Sequence, residues 1–308
     1  MEFIRHLSQL RPRHRGCVAT IGNFDGVHRG HQMLLQRLLQ HATALHLPTT
    51  VMIFEPQPTE FFMPEYAPAR LTRLREKLMT LRLYGVDRVL CMRFDPQFAQ
   101  CAADDFIRHL LIDGLQVRHV VIGDDFHFGR GREGTVSTLA RAGERHGFTV
   151  ESYPAFLLNG ERVSSTRIRQ ALAQGDMQLA YELLGRPYTV CGRVGYGQQR
   201  GRTIGFPTAN IALHRLKSPI SGVFAVYLHG LHDCPLPGIA NLGMRPTVGG
   251  KYHLLEVHLF DINEMFYGQY VEIEFVKKIR DEQRFESFSA LKIQIEQDVI
   301  QAKQALLS

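Results

Sequence analysis

Short apolar or β-branched runs alternate with longer amphipathic stretches from the N-terminus to about Gly185. The amphipathic stretches at residues 30–46 and 69–84 have the length and spacing of helices. The strand-like runs are residues 17–21, 50–54, 88–92, 119–122 and 149–153. This alternation predicts an α/β domain in which crossover helices connect the strands of a parallel sheet. Ligands of such sheets bind beyond the carboxyl ends of the strands.

The pattern changes near Arg186, where strand-like runs follow one another across Gly- and Pro-rich turns. Residues 271–275 alternate strictly between apolar and polar, which is typical of an antiparallel strand with one solvated face. The other strand-like positions are Val190, Val194 and residues 222–228 and 254–260. Apolar residues at helical spacing predict a final amphipathic helix, namely Leu291, Ile295, Ala302 and Leu306. We therefore expect two domains, an α/β domain at residues 1–185 and a small antiparallel β-barrel with a C-terminal helix at residues 186–308.

The composition is that of a globular protein. Its 308 residues are 44% hydrophobic and 21% charged without a long uncharged apolar run, so no membrane partner is expected. The five cysteines are odd in number, scattered and without a CxxC pair, which argues against disulfides and a cysteine zinc site. This cysteine usage predicts a reducing cytoplasm. The arginine-rich start is taken as mature sequence, because a core strand already begins at Cys17.

The net charge of +6 is spread evenly along the chain. Residues 1–185 carry 22 Lys and Arg against 19 Asp and Glu, and residues 186–308 carry 14 against 11. Each part therefore has a charge of +3, without a basic tail or block. This modest excess suits small polyanionic ligands such as nucleotides, and no nucleic-acid partner is expected. The sequence does not indicate an oligomeric state.

A glycine-containing loop follows the first predicted strand and leads into a helix start that carries His28 and His31. Glycine lets the backbone approach a ligand closely, and a helix start offers free N–H groups to phosphates. Because residues three apart share a helix face, both histidines can donate hydrogen bonds to a triphosphate in catalysis. The loop residues expected to bind the nucleotide are Gly22, Asn23, Phe24 and Asp25. The alternatives are a zinc-binding pair and two unrelated surface histidines.

A second phosphate-binding segment is predicted at the start of a helix that ends at Gly175. It consists of Ser164, Ser165, Thr166, Arg167, Ile168 and Arg169. Helix capping is the alternative role for its serines and threonine. Two arginines in a first turn oppose the helix dipole, which favours acids there, so a bound anion is indicated. Arg169 shares a face with Ser165 whereas Arg167 faces elsewhere, so Arg169 is the preferred catalytic phosphate ligand.

The HxGH sequence at residues 28–31 and the SSTRIR sequence at residues 164–169 resemble those of the nucleotidylyltransferase superfamily. The sequences FEPQP at residues 54–58 and GDDFHFG at residues 123–129 are similar to those of its bacterial FAD synthetase branch. The resemblance implies a Rossmann-like domain that transfers AMP from ATP to FMN. It also implies a flavin pocket lined by Phe54, Pro56, Phe62, Asp125 and Phe128. Aromatic surfaces at strand ends suit a flat ring, and a core position is the alternative for each phenylalanine.

Residues 192–211 are rich in glycine and arginine but lack the order of a Walker loop. Gly197, Gly201 and Arg202 are expected to form part of a cationic flap over the phosphates of ATP. Thr208 and Asn210 project on one side if their segment is extended, and their oxygens suit Mg²⁺. The alternative is a proline turn capped by Asn210.

The second half of the chain resembles the riboflavin kinase family. The matching sequences are GRTIGFPTAN, GVFA, NLGMRPT, LEVHL, FYG and RDEQRFESFSAL. The resemblance implies that Glu256, in LEVHL, is the base that takes the proton from the 5′-hydroxyl of riboflavin. A solvated glutamate on a strand is the alternative.

Together the two resemblances cover nearly the whole chain, in the order found in bifunctional bacterial riboflavin kinase/FAD synthetases. They imply an enzyme that converts riboflavin to FMN and FMN to FAD with ATP and Mg²⁺. One alternative is an enzyme that retains a single activity. The other is a flavin-sensing regulator that binds nucleic acid, against which stand the even charge and the lack of a helix-turn-helix sequence.

Overall fold

The computed structural model describes residues 1–195, 206, 208–213, 215, 217–247, 250–262, 264 and 266–307, with only the backbone of residues 244–247 and 250–253. The chain forms two compact units. Unit 1 comprises Met1–Pro68 and Lys77–Val163, and unit 2 comprises Ala69–Glu76 and Ser164–Ser308. Residues 164–185 thus group with the second unit, and a domain boundary between residues 185 and 186 stays a prediction.

Unit 1 contains a parallel six-stranded sheet of order β1-β4-β3-β2-β5-β6. Its strands are β1 (Glu2–Ile4), β2 (Val18–Ile21), β3 (Thr49–Glu55), β4 (Arg88–Arg93), β5 (His119–Gly123) and β6 (Thr149–Tyr153). The five strands expected from the sequence are confirmed. The strand β1 is an addition, because three residues are too few for an alternation to show in the sequence.

Helices connect these strands, as the alternating pattern predicted. They are α1 (Arg29–Leu45), α2 (Pro58–Phe62), α3 (Leu74–Leu83), α4 (Pro96–Ala99), α5 (Ala103–Phe106) with a π-helical continuation (Ile107–Gly114), and α6 (Val136–His146). Single 3₁₀ turns occur at Leu7–Gln9, Pro12–His14 and Arg130–Arg132, and a two-stranded ribbon pairs β7 (Leu157–Leu158) with β8 (Glu161–Arg162).

One helix begins later than expected, at Leu74 instead of residue 69. The backbone N–H of Arg73 donates to the Glu76 carboxylate at 2.6 Å. A side-chain acceptor of this kind closes the first turn of a helix and satisfies a backbone donor that the helix itself leaves open. The amphipathic spacing extends to residues before this cap, so it does not mark the first residue of the helix. The hydrogen bond to Glu76 sets the start of the helix.

Unit 2 contains a closed antiparallel barrel of order β10-β13-β12-β11-β14-β9. Its strands are β9 (Tyr188–Gly195), β10 (Ala209–Ala212), β11 (Gly222–His229), β12 (Leu236–Thr247), β13 (Gly250–Leu259) and β14 (Tyr270–Arg280). The helices α7 (Ser165–Gln174) and α8 (Met177–Leu184) precede the barrel, and α9 (Phe288–Leu307) follows it. The predicted class, an α/β domain and then a β-barrel with a C-terminal helix, is confirmed.

The strand β12 was not expected because Pro237, Gly238, Gly243 and Pro246 give its sequence the composition of a turn. Glycine is required at one of these positions. A Cβ atom on Gly238 would lie 2.6 Å from the carbonyl oxygen of His258, so only glycine lets strand β13 approach this closely.

The C-terminal helix packs on the barrel as its amphipathic spacing predicted. Ala302 is buried with Val223 and Ala225 of β11. The guanidinium of Arg280 donates to both carboxylate oxygens of buried Asp298, and the Tyr227 hydroxyl donates to the carbonyl of Leu306. Among the described residues, no helix combines the length and the apolar character needed to cross a bilayer.

Candidate functional site

The loop after β2 leaves the sheet in a strained backbone conformation. Phe24 and Val27 have positive φ angles of 47° and 42°, and Gly26 has 83°. Residues other than glycine adopt this region at an energetic cost, and such strain is concentrated at functional sites. The loop starts from a defined point, because the Gly22 N–H donates to the carbonyl of Met52 on β3 at 3.1 Å.

Asn23 is partly exposed in this loop, as is Gly22, whereas Phe24 and Asp25 are buried. The Phe24 ring packs on the His31 ring with 4.9 Å between centroids. Of the four loop residues expected to bind the nucleotide, two are accessible to a ligand. The role of all four in nucleotide binding stays a prediction.

His28 is the N-cap residue of α1, and its Nδ1 atom accepts the backbone N–H of His31 at 3.4 Å. Because Nδ1 is the acceptor, the neutral imidazole carries its proton on Nε2, which is then a hydrogen-bond donor. The two imidazole rings are stacked with 3.7 Å between centroids. A Cβ atom on Gly30 would lie 3.2 Å from the His28 ring, so the glycine of HxGH makes room for this ring. The structure therefore brings both histidines together at the helix start.

An aromatic network links three of the residues expected at the flavin pocket. Phe54 contacts Phe94 and Phe98, with ring centroids 6.0 and 5.6 Å apart. The Phe62 ring lies 5.6 Å from the Phe94 ring. The Phe128 ring lies 5.0 Å from the Phe106 ring, and the Phe106 ring lies 6.2 Å from the Phe98 ring.

Phe94 and Phe98 were not predicted from the sequence. A usable signal was present, since Phe94 directly follows the carboxyl end of β4, the edge at which ligands of parallel sheets bind. Phe54 and Phe128 are buried, as the alternative core role requires, whereas the Phe62 side chain is 61% exposed.

The two other residues expected at the flavin pocket, Asp125 and Pro56, are both exposed. Asp125 pairs with Arg162 at 2.7 Å. Gln57 was not selected from the sequence, although it lies within the FEPQP segment. Its Nε2 atom is buried and has no hydrogen-bond partner in the described part of the chain, which makes it a candidate donor to a ligand.

The SSTRIR segment forms the start of α7. Ser164 is its N-cap residue, and its hydroxyl accepts the backbone N–H of Arg167 at 3.2 Å. Ser164 therefore caps the helix, and its contact with ATP stays a prediction. The Arg169 Nε atom donates to the carbonyl of Ala69 at 2.6 Å, which restricts the orientation of its guanidinium. Ser165 is partly exposed and Thr166 is exposed.

Glu256 occupies the centre of a row of polar residues across three barrel strands. It lies directly opposite Asn210 on β10 and Asn241 on β12. Its neighbours Leu255 and Val257 are buried on the other face of the strand, as the alternation predicted. Directly opposed residues of antiparallel strands point to the same face, so the three polar side chains are neighbours.

Asn241 was not identified from the sequence. Its side-chain Oδ1 atom is buried and has no hydrogen-bond partner in the described part of the chain. A buried acceptor in this state is unfavourable unless it has a ligand to bind. No periodicity reveals such an atom, because it becomes conspicuous only after β12 pairs with β13.

The predicted metal ligands lie at the end of the same row. Thr208 immediately precedes β10, and the Asn210 amide nitrogen lies 3.5 Å from the Thr208 carbonyl oxygen. A hydroxyl, an amide oxygen and a nearby carboxylate are hard oxygen donors, and this set fits Mg²⁺. The predicted flap residues Gly197, Gly201 and Arg202 lie outside the described residues.

Comparisons with known proteins match both parts of the chain. A family model described as FAD synthetase matches residues 10–167, and one described as riboflavin kinase matches residues 184–306. The bifunctional riboflavin kinase/FMN adenylyltransferase of Escherichia coli K12 is 52% identical over 305 residues, which are 99% of this chain and 97% of that protein. The protein of the same name from Haemophilus influenzae is 52% identical over 303 residues, 98% of each chain.

The fold and the two matched families define an enzyme that transfers phosphoryl and nucleotidyl groups. The chain belongs to the family of bifunctional riboflavin kinase/FMN adenylyltransferases. A solved structure from Streptococcus pneumoniae, described as a macrolide-efflux protein, has a TM-score of 0.83 and 31% identity and covers 97% of each chain. The fold is thus shared over nearly the full length.

Proposed function

We propose that this protein phosphorylates riboflavin to FMN and then adenylylates FMN to FAD, with ATP as the donor in both reactions. The observation that carries the proposal for the first reaction is the row of Asn210, Glu256 and Asn241 in a barrel whose family is that of riboflavin kinases. For the second reaction it is the pair of stacked histidines at the start of α1 in the unit matched as FAD synthetase.

In the kinase reaction, Glu256 accepts the proton of the riboflavin 5′-hydroxyl as the oxygen attacks the γ-phosphorus of ATP. The bond between the γ-phosphorus and the bridging oxygen breaks, and ADP leaves. Thr208 and Asn210 would hold Mg²⁺, which would neutralise phosphate charge. Asn241 lies on the other side of Glu256, and its unsatisfied oxygen accepts a hydrogen bond from a ligand and orients it.

In the adenylyl transfer, a phosphate oxygen of FMN attacks the α-phosphorus of ATP, and pyrophosphate leaves. The reaction needs positioning and charge stabilisation rather than a covalent intermediate. The Nε2–H group of His28, together with His31, donates to the phosphates, and the start of α1 adds backbone N–H groups. Arg169 is the proposed catalytic cation of the SSTRIR segment, with Ser165, Thr166 and Arg167 as further ATP contacts.

The isoalloxazine ring is proposed to bind at the aromatic network of unit 1. Phe54, Pro56, Phe62 and Phe128 supply apolar surface for a flat ring system, and Asp125 supplies a polar group. The Phe62 side chain is 61% exposed, so its ring is accessible to a ligand. The buried amide nitrogen of Gln57 adds a donor for a carbonyl of the ring.

A cytoplasmic location is proposed from the chemistry of the cysteines. All five are free thiols. Burial raises the pKa of the Cys17 thiol to about 11 and that of Cys191 to about 12, so both are inert at neutral pH. Free thiols are typical of a reducing compartment. The proposed partners are the small molecules riboflavin, FMN and ATP.

The test is a time course in which purified protein is incubated with riboflavin, ATP and Mg²⁺ and the flavins are separated by chromatography. We expect FMN to form first and FAD to follow. FMN without FAD supports an enzyme with the kinase activity alone. Riboflavin that stays unchanged, together with FMN that is not converted when supplied, contradicts the proposal and favours a flavin-binding regulator.

A further inference from the structure

Three side chains of unit 1 converge at the amino-terminal edge of the sheet. His41 comes from α1, His119 is the first residue of β5, and Glu151 lies on β6. One ligand atom from each lies within 4.8 Å of the others. The residues proposed for adenylyl transfer follow the carboxyl end of β2, so this cluster is at the opposite edge of the sheet. Neither proposed reaction uses it.

Thr149 orients the ring of His119. The Thr149 hydroxyl lies 2.6 Å from His119 Nδ1 and 3.4 Å from the carbonyl oxygen of Arg118. Because Thr149 engages Nδ1, Nε2 is the ring nitrogen that is open to a ligand.

The Nε2 atom of His119 has no hydrogen-bond partner in the described part of the chain. His119 is 6% exposed, its Nε2 atom is buried, and the Glu151 Oε2 atom lies 3.8 Å away. The same Oε2 atom lies 2.5 Å from His41 Nε2. One carboxylate oxygen thus faces both imidazole Nε2 atoms. A cation bound to all three atoms would replace the hydrogen bond between His41 and Glu151 and would give the buried His119 nitrogen a partner.

We propose that His41, His119 and Glu151 bind one divalent transition-metal ion of the Zn²⁺ type, with water as a fourth ligand. Two imidazoles and a carboxylate form a known tetrahedral ligand set for Zn²⁺. Bonds of about 2.0–2.1 Å at tetrahedral angles place ligand atoms about 3.4 Å apart. Glu151 Oε2 lies 2.5 Å from His41 Nε2 and 3.8 Å from His119 Nε2. These two distances lie on either side of the tetrahedral value.

The surrounding residues orient the ligands. The Arg37 Nε atom donates to Glu151 Oε1 at 2.7 Å, so Oε2, which His41 contacts, is the oxygen that would bind the ion. Thr149 engages His119 Nδ1, which leaves Nε2 for the ion. Partners of this kind around the ligands set the affinity of metal sites. The positive charge of Arg37 repels a dication. We therefore expect this site to bind the ion less tightly than a site with only neutral and acidic neighbours.

The position of the site indicates its role. Its ligands come from a helix and two strands that are distant in the sequence, so a bound ion would join α1, β5 and β6. Such an ion stabilises the folded unit, because the ligands are brought together only on folding. Its removal is expected to change the thermal stability and to leave the chemistry at the other edge of the sheet in place.

The experiment is a titration of chelator-treated, nucleotide-free full-length protein with Co²⁺, which absorbs visible light when tetrahedral, followed by displacement with Zn²⁺. We expect one Co²⁺ per chain and a rise in Tm with Zn²⁺. Glu151→Gln keeps the size of the side chain and a hydrogen bond to Arg37 but removes the charge. It should weaken Co²⁺ binding by at least about 10-fold and abolish the rise in Tm.

His41→Gln is a second variant at a partly exposed position, which decides the question if Glu151→Gln fails to fold. His146→Gln removes an exposed histidine of α6 in the same unit and should bind Co²⁺ as the wild type does. Equal binding by the wild type and His41→Gln, or absence of binding by the wild type, would show a hydrogen-bonded cluster without an ion. Thiolate-to-cobalt absorption would place the ion on a cysteine and also overturn the proposal.

Discussion

Asn210 and Glu256 are directly opposed residues on the neighbouring antiparallel strands β10 and β13. Opposed residues have Cβ atoms about 4.5–5.5 Å apart and point to the same face of the sheet. The proposed base and a proposed metal ligand are therefore held side by side by backbone pairing. Each of the two proposed roles can be tested by a substitution of its own residue.

Glu256→Gln should lower the rate of riboflavin phosphorylation by roughly 10²–10⁴-fold, the usual contribution of a general base. The amide keeps the size of the side chain and can still form hydrogen bonds, but it cannot accept the proton. The rate is measured with riboflavin and ATP, and FMN is supplied separately to the same folded variant. FAD should still form from FMN. Near-normal phosphorylation would reduce Glu256 to a solvated strand residue, and a parallel fall in Tm and in both activities would indicate a structural role.

Asn241→Leu tests whether the buried Oδ1 atom serves a ligand. The substitution keeps the shape of the side chain and removes an unsatisfied acceptor, which should raise the free energy of unfolding by about 1 kcal/mol. Riboflavin phosphorylation should fall although the protein is more stable. Chemical denaturation and the kinase assay are compared on one preparation. A variant with lower stability and unchanged kinase activity would mean that Asn241 has only a structural partner.

His28 has two roles that substitutions can separate. His28→Ala removes both the helix cap, worth about 1 kcal/mol, and the imidazole donor. His28→Asn retains a capping side chain and loses only the imidazole. Both variants, and His31→Ala, should form FAD at least about 10²-fold more slowly, while only His28→Ala should also lose stability. Normal FAD formation by His28→Asn would show that the cap alone matters.

Arg169→Ala should weaken the use of ATP in adenylyl transfer more than Arg167→Ala does. The guanidinium of Arg169 is oriented by the carbonyl of Ala69, and an oriented guanidinium loses less entropy when it binds phosphate. The KM for ATP is measured with FMN as the acceptor, and riboflavin phosphorylation serves as the control. Equal effects, or a larger effect of Arg167→Ala, would contradict the assignment made from helical spacing.

Glu76→Gln should lower the free energy of unfolding by about 3–5 kcal/mol, because it leaves a buried cation without its counter-charge. Arg215 Nη2 lies 2.6 Å from Glu76 Oε2, and both side chains are buried. Burial opposes the charge of Arg215, but Tyr188 and Glu76 raise its pKa, so it stays ionised. Asp261→Asn breaks the exposed pair with Lys303 and should change the free energy by less than about 0.5 kcal/mol. Similar effects of the two substitutions in chemical denaturation would contradict this ranking.

Most of the fold was predictable because its elements have strong local patterns. The five expected strands of the parallel sheet are apolar runs, and the final helix has apolar residues at helical spacing. The failures have local causes as well. The strand β1 is too short to show a pattern, the composition of β12 is that of a turn, and the start of α3 is set by the side chain of Glu76.

Residues of the candidate sites were also predictable only where their signal is local. His28 and His31 were recognisable because a helix start and three-residue spacing are local properties, and the structure brings these residues together. Phe98 and Asn241 were missed, since each gains its significance from a neighbour distant in sequence. Phe94 was missed although its position after the carboxyl end of β4 is a local signal. Glu256 was selected through a family resemblance, because its alternation on β13 equally fits a solvated residue.

The sequence by itself determined the two kinds of domain, their order and the short segments that carry phosphate chemistry. Hydrophobic period, turn residues and helix caps act over a few residues, so they can be read along the chain. Only the tertiary structure decided which side chains meet, namely Asn241 with Glu256 on paired strands and His41 with His119 and Glu151 at the edge of the sheet. Strand register and helix packing make these contacts, and both depend on the burial of the whole core, which no local segment encodes.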